Sequence, residues 1–415
     1  MEDVKHRLNQ AIDISLFDKI LTVVALRVTT KDVSKTILSL KELVLKKKGK
    51  RNVYPCPESD DHKLLALRED LSQEIAEKEI KTLVPGGSAP VFATVGVPYS
   101  YADYNYHEAL KLLLPSNITT PSGYETIGHV AHLNLKEPQF PWKYMIGQVI
   151  KDKTKEITTV VNKLDKLSNE FRTPELELIS GEKNYETKVL EEKCNLYVDF
   201  EKVYWCSRLS GERGRVIQTL DQADVVCDAF CGVGPFAVRA AKEKGCKVFA
   251  SDLNPHGVEY LKKNIKVNKV DGLVEPSCAD ARDYIKSILA RQYKGEIIPI
   301  TRWFMNLPGD AVEFLDAFPA YYRENPQHLS NELFKDSVVH VYCFLGKADE
   351  ISMRDDLTAR VQRVLLNFDL KDIDNVHTLK SVSSEKDMCC LTFRLNKENA
   401  NPEPFGQGEK KLKTE

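Results

Sequence analysis

No apolar run in this sequence approaches the roughly 18 residues that a membrane-spanning helix requires. The nearest candidate, Ile20 to Leu26, has the length of a core strand. A secretory leader is not expected. The opening MEDVKHRLNQ carries acids early, has no apolar core, and lacks the Arg- and Ser-rich, acid-poor composition of a transit peptide. The ten cysteines show no paired metal-ligand spacing, and Cys389-Cys390 are adjacent, so in a chain this long they read as reduced thiols and not as a disulfide framework. Gly 20 and Pro 19 are too few for a collagen-like or low-complexity chain. There is no excess of either charge, with Lys+Arg 59 against Asp+Glu 61 and a net charge of −2. That balance neither announces a nucleic-acid binder nor excludes one, because a basic face can be offset by acids elsewhere. Repeats at solenoid or propeller periods are absent. The expectation is a soluble intracellular protein.

What is present suits a folded chain. The 415 residues are 42% hydrophobic and 29% charged, enough apolar content for two or three domains and too much for dominant disorder. Four segments separate by pattern. Residues 1–115 mix short patterns with turn-rich stretches such as Tyr54-Pro-Cys-Pro and Val84-Pro-Gly-Gly. A basic cluster, Lys46 to Lys48 with Lys50 and Arg51, reads as a solvated helix end and loop, with a phosphate-contacting patch as the alternative. Residues 116–195 favour strands, at His129–Leu135, Met145–Ile150 and Glu156–Val161. Between Lys136 and Arg172 there are eight basic residues against five acidic, a modest positive excess. His129 and His132 face opposite sides of a strand-like run, so a shared metal site is not expected. Residues 196–395 alternate strand, turn and helix, with helices at Ala237–Lys244 and Pro255–Asn268, which indicates a doubly wound parallel sheet. The stretch 396–415, rich in Lys, Glu, Asn and Pro, reads as a disordered tail.

The chemistry concentrates in the third segment. Asp228-Ala-Phe-Cys-Gly-Val-Gly-Pro-Phe is a glycine-rich turn after a strand, where the backbone can approach a ligand closely. A dinucleotide site would want a third glycine so that a helix N-terminus can take a pyrophosphate. Here the run from Gly232 is G-V-G-P-F-A, and Asp228 would repel a pyrophosphate but could pair with an ammonium. S-adenosyl-L-methionine has that ammonium and no phosphate, so a methyl donor fits better than a nicotinamide dinucleotide. Asp252 ends the next strand and is placed to accept ribose hydroxyls, and Asp280 could meet an adenine amino group. Asn306-Leu-Pro308-Gly309 follows the fourth strand. Nucleic-acid methyltransferases carry (D/N)-P-P-(Y/F) there, the aromatic stacking on a flipped base. With Gly309 at the aromatic position, a simple exocyclic-amine methylase is disfavoured. Upstream, Glu212 lies among Arg208, Arg213 and Arg215 and could accept a proton, and Arg172 could reach a polar target.

Taken together, these residues resemble the archaeal–eukaryotic tRNA (guanine-37 N1)-methyltransferase family over roughly residues 120–395. The resemblance is carried by Tyr124-Glu-Thr-Ile-Gly-His-Val-Ala-His-Leu-Asn-Leu, Ile146-Gly-Gln-Val-Ile-Lys-Asp-Lys, Val160-Val-Asn-Lys, Asn169-Glu-Phe-Arg172, Asp228 to Phe236 and Asn306-Leu-Pro. It implies a Rossmann-like class I S-adenosyl-L-methionine-dependent methyltransferase domain, preceded by smaller α/β RNA-binding domains. It implies methyl transfer to N1 of guanosine 37 in the tRNA anticodon loop, supporting reading-frame maintenance and wyosine precursor formation. The family's essential arginine matches Arg172, its general base Glu212, and its substrate motif Asn306 and Pro308. The cofactor set implied is Arg208, Asp228, Phe230, Gly232, Gly234, Pro235, Asp252, Leu253, Asp280, Ala281 and Asn306. The family implies a monomer without metal, in the cytoplasm with nuclear and mitochondrial pools, although the acidic N-terminus speaks against a mitochondrial address. Competing expectations are a methyltransferase of another RNA position, a non-catalytic RNA-binding scaffold, and, more remotely, a dehydrogenase.

The chemistry agrees with these residue types. Guanine N1 holds a proton at neutral pH and is a poor nucleophile until a carboxylate removes it. Negative charge then grows on O6, where an arginine can stabilise it.

Overall fold

The computed structural model describes residues 12–47, 49–83, 89–164 and 171–404. Two compact units emerge, one comprising residues 1–125, 131–162 and 178–182 and the other residues 126–130, 163–177 and 183–415.

In the first unit, strands β1 (Lys19–Thr29), β2 (Val53–Pro55), β3 (His62–Ala66) and β4 (Phe92–Tyr99) form an antiparallel sheet in the order β2-β3-β1-β4. In β4 the buried residues Val95, Val97 and Tyr99 alternate with exposed ones, the period-two pattern of a strand with one face on a core. Helices α1 (Val33–Ser39) and α2 (Gln73–Leu83) accompany this sheet, with Ala76 and Ile80 of α2 joining Leu26, Val28 and Leu65 in the core. A second sheet, most but not all of whose residues fall in this unit, has the order β5-β6-β7-β8, from β5 (Glu125–Ile127), β6 (Val130–Leu133), β7 (Thr159–Leu164) and β8 (Glu175–Gly181). Helices α3 (Tyr106–Leu113) and α4 (Lys143–Lys153) contribute Leu110, Ile146, Val149 and Ile150 to its core.

Here two expectations are corrected. The segment Met145–Ile150 is part of a helix, not a strand. Its β-branched residues suggested extended chain, but Met145, Ile146, Val149 and Ile150 recur at helical spacing and all bury. A Cβ at Gly147 would come within 2.9 Å of the Ile179 side chain and 3.0 Å of its carbonyl, so the glycine lets the helix lie against the strand backbone. The basic cluster is not a helix end either, since α1 stops at Ser39. Lys46 pairs with Glu42, Lys47 with Glu108 and Lys50 with Asp103, while Lys48 lies outside the described residues.

The second unit opens with a hairpin, β9 (Glu186–Glu191) and β10 (Cys194–Asp199). It then follows α5 (Ser210–Gln218), β11 (Val225–Asp228), α6 (Ala237–Lys244), β12 (Lys247–Asp252), α7 (Pro255–Asn268), β13 (Val274–Cys278), α8 (Ala281–Tyr293), β14 (Arg302–Met305), α9 (Ala317–Glu324), β15 (Val338–Gly346), α10 (Glu350–Gln362), β16 (Ile373–Ser381) and β17 (Lys386–Arg394). The seven strands from β11 onward form one sheet in the order β13-β12-β11-β14-β15-β17-β16. Pairing is parallel from β13 through β15, and β17 runs antiparallel to both neighbours. Strand order reverses between β11 and β14, the crevice where doubly wound sheets bind ligands.

The helices expected at Ala237–Lys244 and Pro255–Asn268 have those bounds. Asn254 caps α7 by accepting from His256 N at 3.0 Å, with Pro255 at the first helical position. Gly245 ends α6 in the left-handed region at φ 76°. The β9–β10 hairpin groups with this unit, not with the strand-rich segment before it. Asn264 and Asn268 of α7 explain why, accepting from Tyr197 N at 2.7 Å and Asn195 N at 3.0 Å. The tail expectation also shifts. Asn396 and Asn399 each accept the other's backbone N–H at 2.9 Å, and Asn399 and Ala400 are fully buried. Residues 405–415 lie outside the described set.

Candidate active site

The glycine-rich turn is built from the ends of β11 and β12. Cys231 N donates to Ser251 O at 2.9 Å and Gly234 N to Cys231 O at 2.8 Å, closing a tight loop before α6. Its two glycines do different work. Gly234 sits at φ 89°, and a Cβ there would lie 2.5 Å from Leu261 Cδ1 and 3.0 Å from Val238 Cγ2. Gly232 sits at φ 54°, and its Cβ would meet nothing within 4 Å. The first requirement is packing; the second leaves open space beside the backbone.

Asp252 organises this space. Its Oδ2 accepts from Gly232 N at 2.7 Å and its Oδ1 from Asn254 N at 2.9 Å. Burial nevertheless pushes its carboxyl above the usual range, against the pull of those two N–H groups. Asp228 is deeper, 1% exposed, with one long contact from Phe230 N at 3.4 Å. Burial, with the charge of Asp252 adding to it, raises Asp228 to about 8. Two carboxylates raised by burial at one turn would be relieved by a ligand that brings positive charge.

The turn opens on a cleft of about 480 Å³. Of the residues expected at the site, Arg172, Arg208, Phe230, Gly232 and Pro235 line it, as do Asp252, Leu253, Asp280, Ala281, Asn306 and Pro308. Asp280 also caps α8, accepting from Arg282 N at 2.9 Å. Asn306 Oδ1 is buried and, among the described residues, has no hydrogen-bond partner. An orphaned acceptor in a cleft wall is one that a ligand donor would satisfy.

Three expected residues stand behind the lining: Asp228, Gly234 and Glu212. Asp228 cannot offer its carboxylate directly to an ammonium, because it is enclosed beneath the turn. Glu212 is held by Arg215, whose Nε and Nη2 each donate at 2.7 Å, and by Tyr342 Oη at 3.1 Å. His377 Nε2 lies 3.6 Å away. Of the arginines around Glu212, Arg213 turns away into a buried network. It pairs with Glu191 through two nitrogens, Arg239 reaches the same carboxylate at 2.9 Å, and Trp205 lies 5.4 Å under the Arg213 guanidinium.

Several lining residues were not anticipated: Phe314, Phe344, Lys380 and Met388. Phe314 packs edge-on to Phe230 at 5.1 Å, giving the cleft an aromatic wall. Lys380 and Met388 come from the β16–β17 hairpin, more than 140 residues beyond the glycine turn and without a motif of their own. Among the described residues, no helix is long and apolar enough to cross a membrane, and no group of His, Cys, Asp and Glu could hold a metal ion.

Comparison with known proteins decides the lineage. Residues 187–355 match the TRM5/TYW2 methyltransferase domain, and residues 106–184 match the TYW2 N-terminal domain. A tRNA (guanine(37)-N(1))-methyltransferase of Phytophthora infestans is 37% identical, covering 92% of each chain. The chain belongs to the tRNA (guanine(37)-N(1))-methyltransferase family. A human member is 36% identical over 92% of this chain and 75% of its own. Trm5b from Pyrococcus abyssi superposes with a TM-score of 0.61 at 25% identity, covering 90% of this chain and 99% of that one. A complex of aTrm5 and tRNALeu shares the fold, with a TM-score of 0.63 at 23% identity over 90% and 100% of the two chains. The likeness to these solved structures extends over the fold of most of the chain.

Proposed function

We propose that this chain transfers the methyl group of S-adenosyl-L-methionine to N1 of guanosine 37 in tRNA. The observation that carries this reading is that the Asp252-anchored glycine turn and the Arg172–Asn306–Pro308 cluster open into one cleft. The turn suits a cationic donor and the cluster suits the polar edge of a purine. The curated relatives reported above all bear the guanine-37 N1 name, which favours this position over another site on RNA.

S-adenosyl-L-methionine, when bound, supplies the electrophilic methyl. The residues present fit it: open space beside Gly232, the Asp252 carboxylate for ribose hydroxyls, Asp280 near the adenine side, and apolar walls from Phe230, Leu253 and Pro235. Asp228 lies enclosed beneath the turn, where burial favours its neutral form, so it supports the loop and does not pair with the donor's charge.

For the acceptor base, Asn306 Oδ1 is the unpartnered group that can take an N–H from guanine. Arg172 stabilises the charge that develops on O6 as the N1 proton departs. Glu212 is the proton acceptor we assign. It must leave the Arg215–Tyr342 clamp to meet N1, so deprotonation is tied to a carboxylate rearrangement. The modified nucleotide lies in a loop, where extruding a base costs least. Action as a monomer follows the family resemblance. Cytoplasmic action with nuclear and mitochondrial pools follows the family resemblance.

Nucleoside mass spectrometry tests the assignment directly. A tRNA transcript treated with enzyme and donor, then digested, should yield 1-methylguanosine. A different methylated nucleoside would replace the reading with another RNA position.

A further inference from the structure

We propose that Gly309 and Asp310 form a seat that positions the Arg172 guanidinium against the acceptor base. This rests on the role given to Arg172 above. Gly309 occupies the place where related motifs carry a stacking aromatic, and its missing side chain has a definite tenant. A Cβ there would lie 2.9 Å from Arg172 Nη2, 3.0 Å from Nη1 and 3.4 Å from Cζ. The near-equal distances put the forked end of the guanidinium astride the glycine. Arg172 Nη2 also donates to Asp310 Oδ2. A planar cation therefore covers the step that an aromatic ring covers elsewhere.

The seat is rigid. Asp310 N and Ala311 N both donate to Leu307 O, at 2.9 and 2.8 Å, and Phe344 N donates to Pro308 O at 3.2 Å. Arg360 Nη2 holds the Gly309 carbonyl at 3.3 Å and is itself paired with Glu313 at 3.1 Å. The turn cannot recede from an added β-carbon, whereas the tip of a long arginine can. Arg172 itself stands at φ 52°, a left-handed conformation that is costly for a residue with a side chain. A strained non-glycine at this point fits a demand for its guanidinium. Asp310 is 56% exposed, so its pairing adds little stability and its value is orientation.

The test is a double-mutant cycle on the full chain: wild type, Gly309→Ala, Arg172→Ala and the pair, with Asp310→Asn alongside. Single-turnover methyl transfer to a tRNA transcript is read together with donor affinity by calorimetry and melting temperature. Gly309→Ala should slow transfer about 10- to 100-fold, the scale of a displaced catalytic group, with donor affinity and melting temperature unchanged. In the Arg172→Ala background it should cost nothing further. Asp310→Asn should slow transfer about 3-fold and likewise be silent without Arg172. Wild-type transfer by Gly309→Ala, or an equal loss with Arg172 absent, overturns the seat. Wild-type transfer by Arg172→Ala overturns the underlying role of the arginine, a separate result.

Discussion

Arg215 holds both carboxylate oxygens of Glu212, each at 2.7 Å, one helical turn apart on α5. Tyr342 completes the clamp, its hydroxyl kept protonated by burial and by the neighbouring thiol and carboxylate. The carboxylate proposed above as the proton acceptor is therefore held outside the lining of the cleft. Glu212→Gln should keep this packing and lose the proton acceptor. Turnover should fall about 100-fold or more, in the range of general-base losses, with donor affinity unchanged in a titration. Equal loss of donor affinity would make Glu212 structural.

Asp252 ties Gly232 N to Asn254 N through one carboxylate. Asp252→Ala removes both the anchor and the proposed ribose contacts. Donor affinity should drop about 10-fold or more, a loss of ~1.4 kcal/mol, measured by calorimetry. Unchanged affinity would remove Asp252 from the cofactor site.

The two glycines should separate stability from binding. Gly234→Ala drives a methyl into Leu261 and Val238 at a positive φ, and should cost about 1–3 kcal/mol in a denaturant melt. Gly232→Ala carries the strain of a positive φ but meets no neighbour and points to the open space, so it should cost less stability than Gly234→Ala and act more on donor affinity. Reversal of this order would contradict the division of labour between them.

Asp228 gives a pH dependence with a definite sign. Its folded value of about 8 stands above the usual 3.8, so the folded chain keeps a proton that the unfolded chain releases. The stability from this group is fully present below about pH 3.8 and declines as pH rises to about 8. Asp228→Asn should remove that decline, gaining on the wild type in melting temperature between pH 5 and 8. A parallel pair of pH–melting curves would refute it.

Glu191 is the shared partner of Arg213 and Arg239, all three nearly inaccessible. Glu191→Gln leaves the buried Arg213 without a carboxylate, while Arg239 keeps Glu243, and should destabilise the second unit by about 3–5 kcal/mol in a denaturant melt. A loss under about 1 kcal/mol would mean that the network relaxes.

Much of the donor side was legible because a tight turn leaves local marks: glycines, a strand before them, a helix after them, and Asp252 at the next strand end. The helices expected at Ala237–Lys244 and Pro255–Asn268 have those bounds in the fold, where Gly245 closes α6 and Pro255 opens α7. The far wall was not legible, because Lys380 and Met388 reach the cleft only through the antiparallel pairing of β15 with β17 and β17 with β16. Which arginine would serve Glu212 was equally hidden. Arg208, Arg213 and Arg215 look equivalent in the chain, and only tertiary packing sends Arg213 to Glu191 and Arg215 to Glu212. The helix at Lys143–Lys153 was misread because burial on one side overrides the strand preference of Ile and Val.

The central claim is that one cleft delivers a methyl group to the guanine that follows the anticodon. Transfer of tritiated methyl from S-adenosyl-L-methionine to transcripts differing only at nucleotide 37 measures it. The account expects incorporation with guanosine there and background counts with adenosine. Equal incorporation into both transcripts, or none into either, would contradict it.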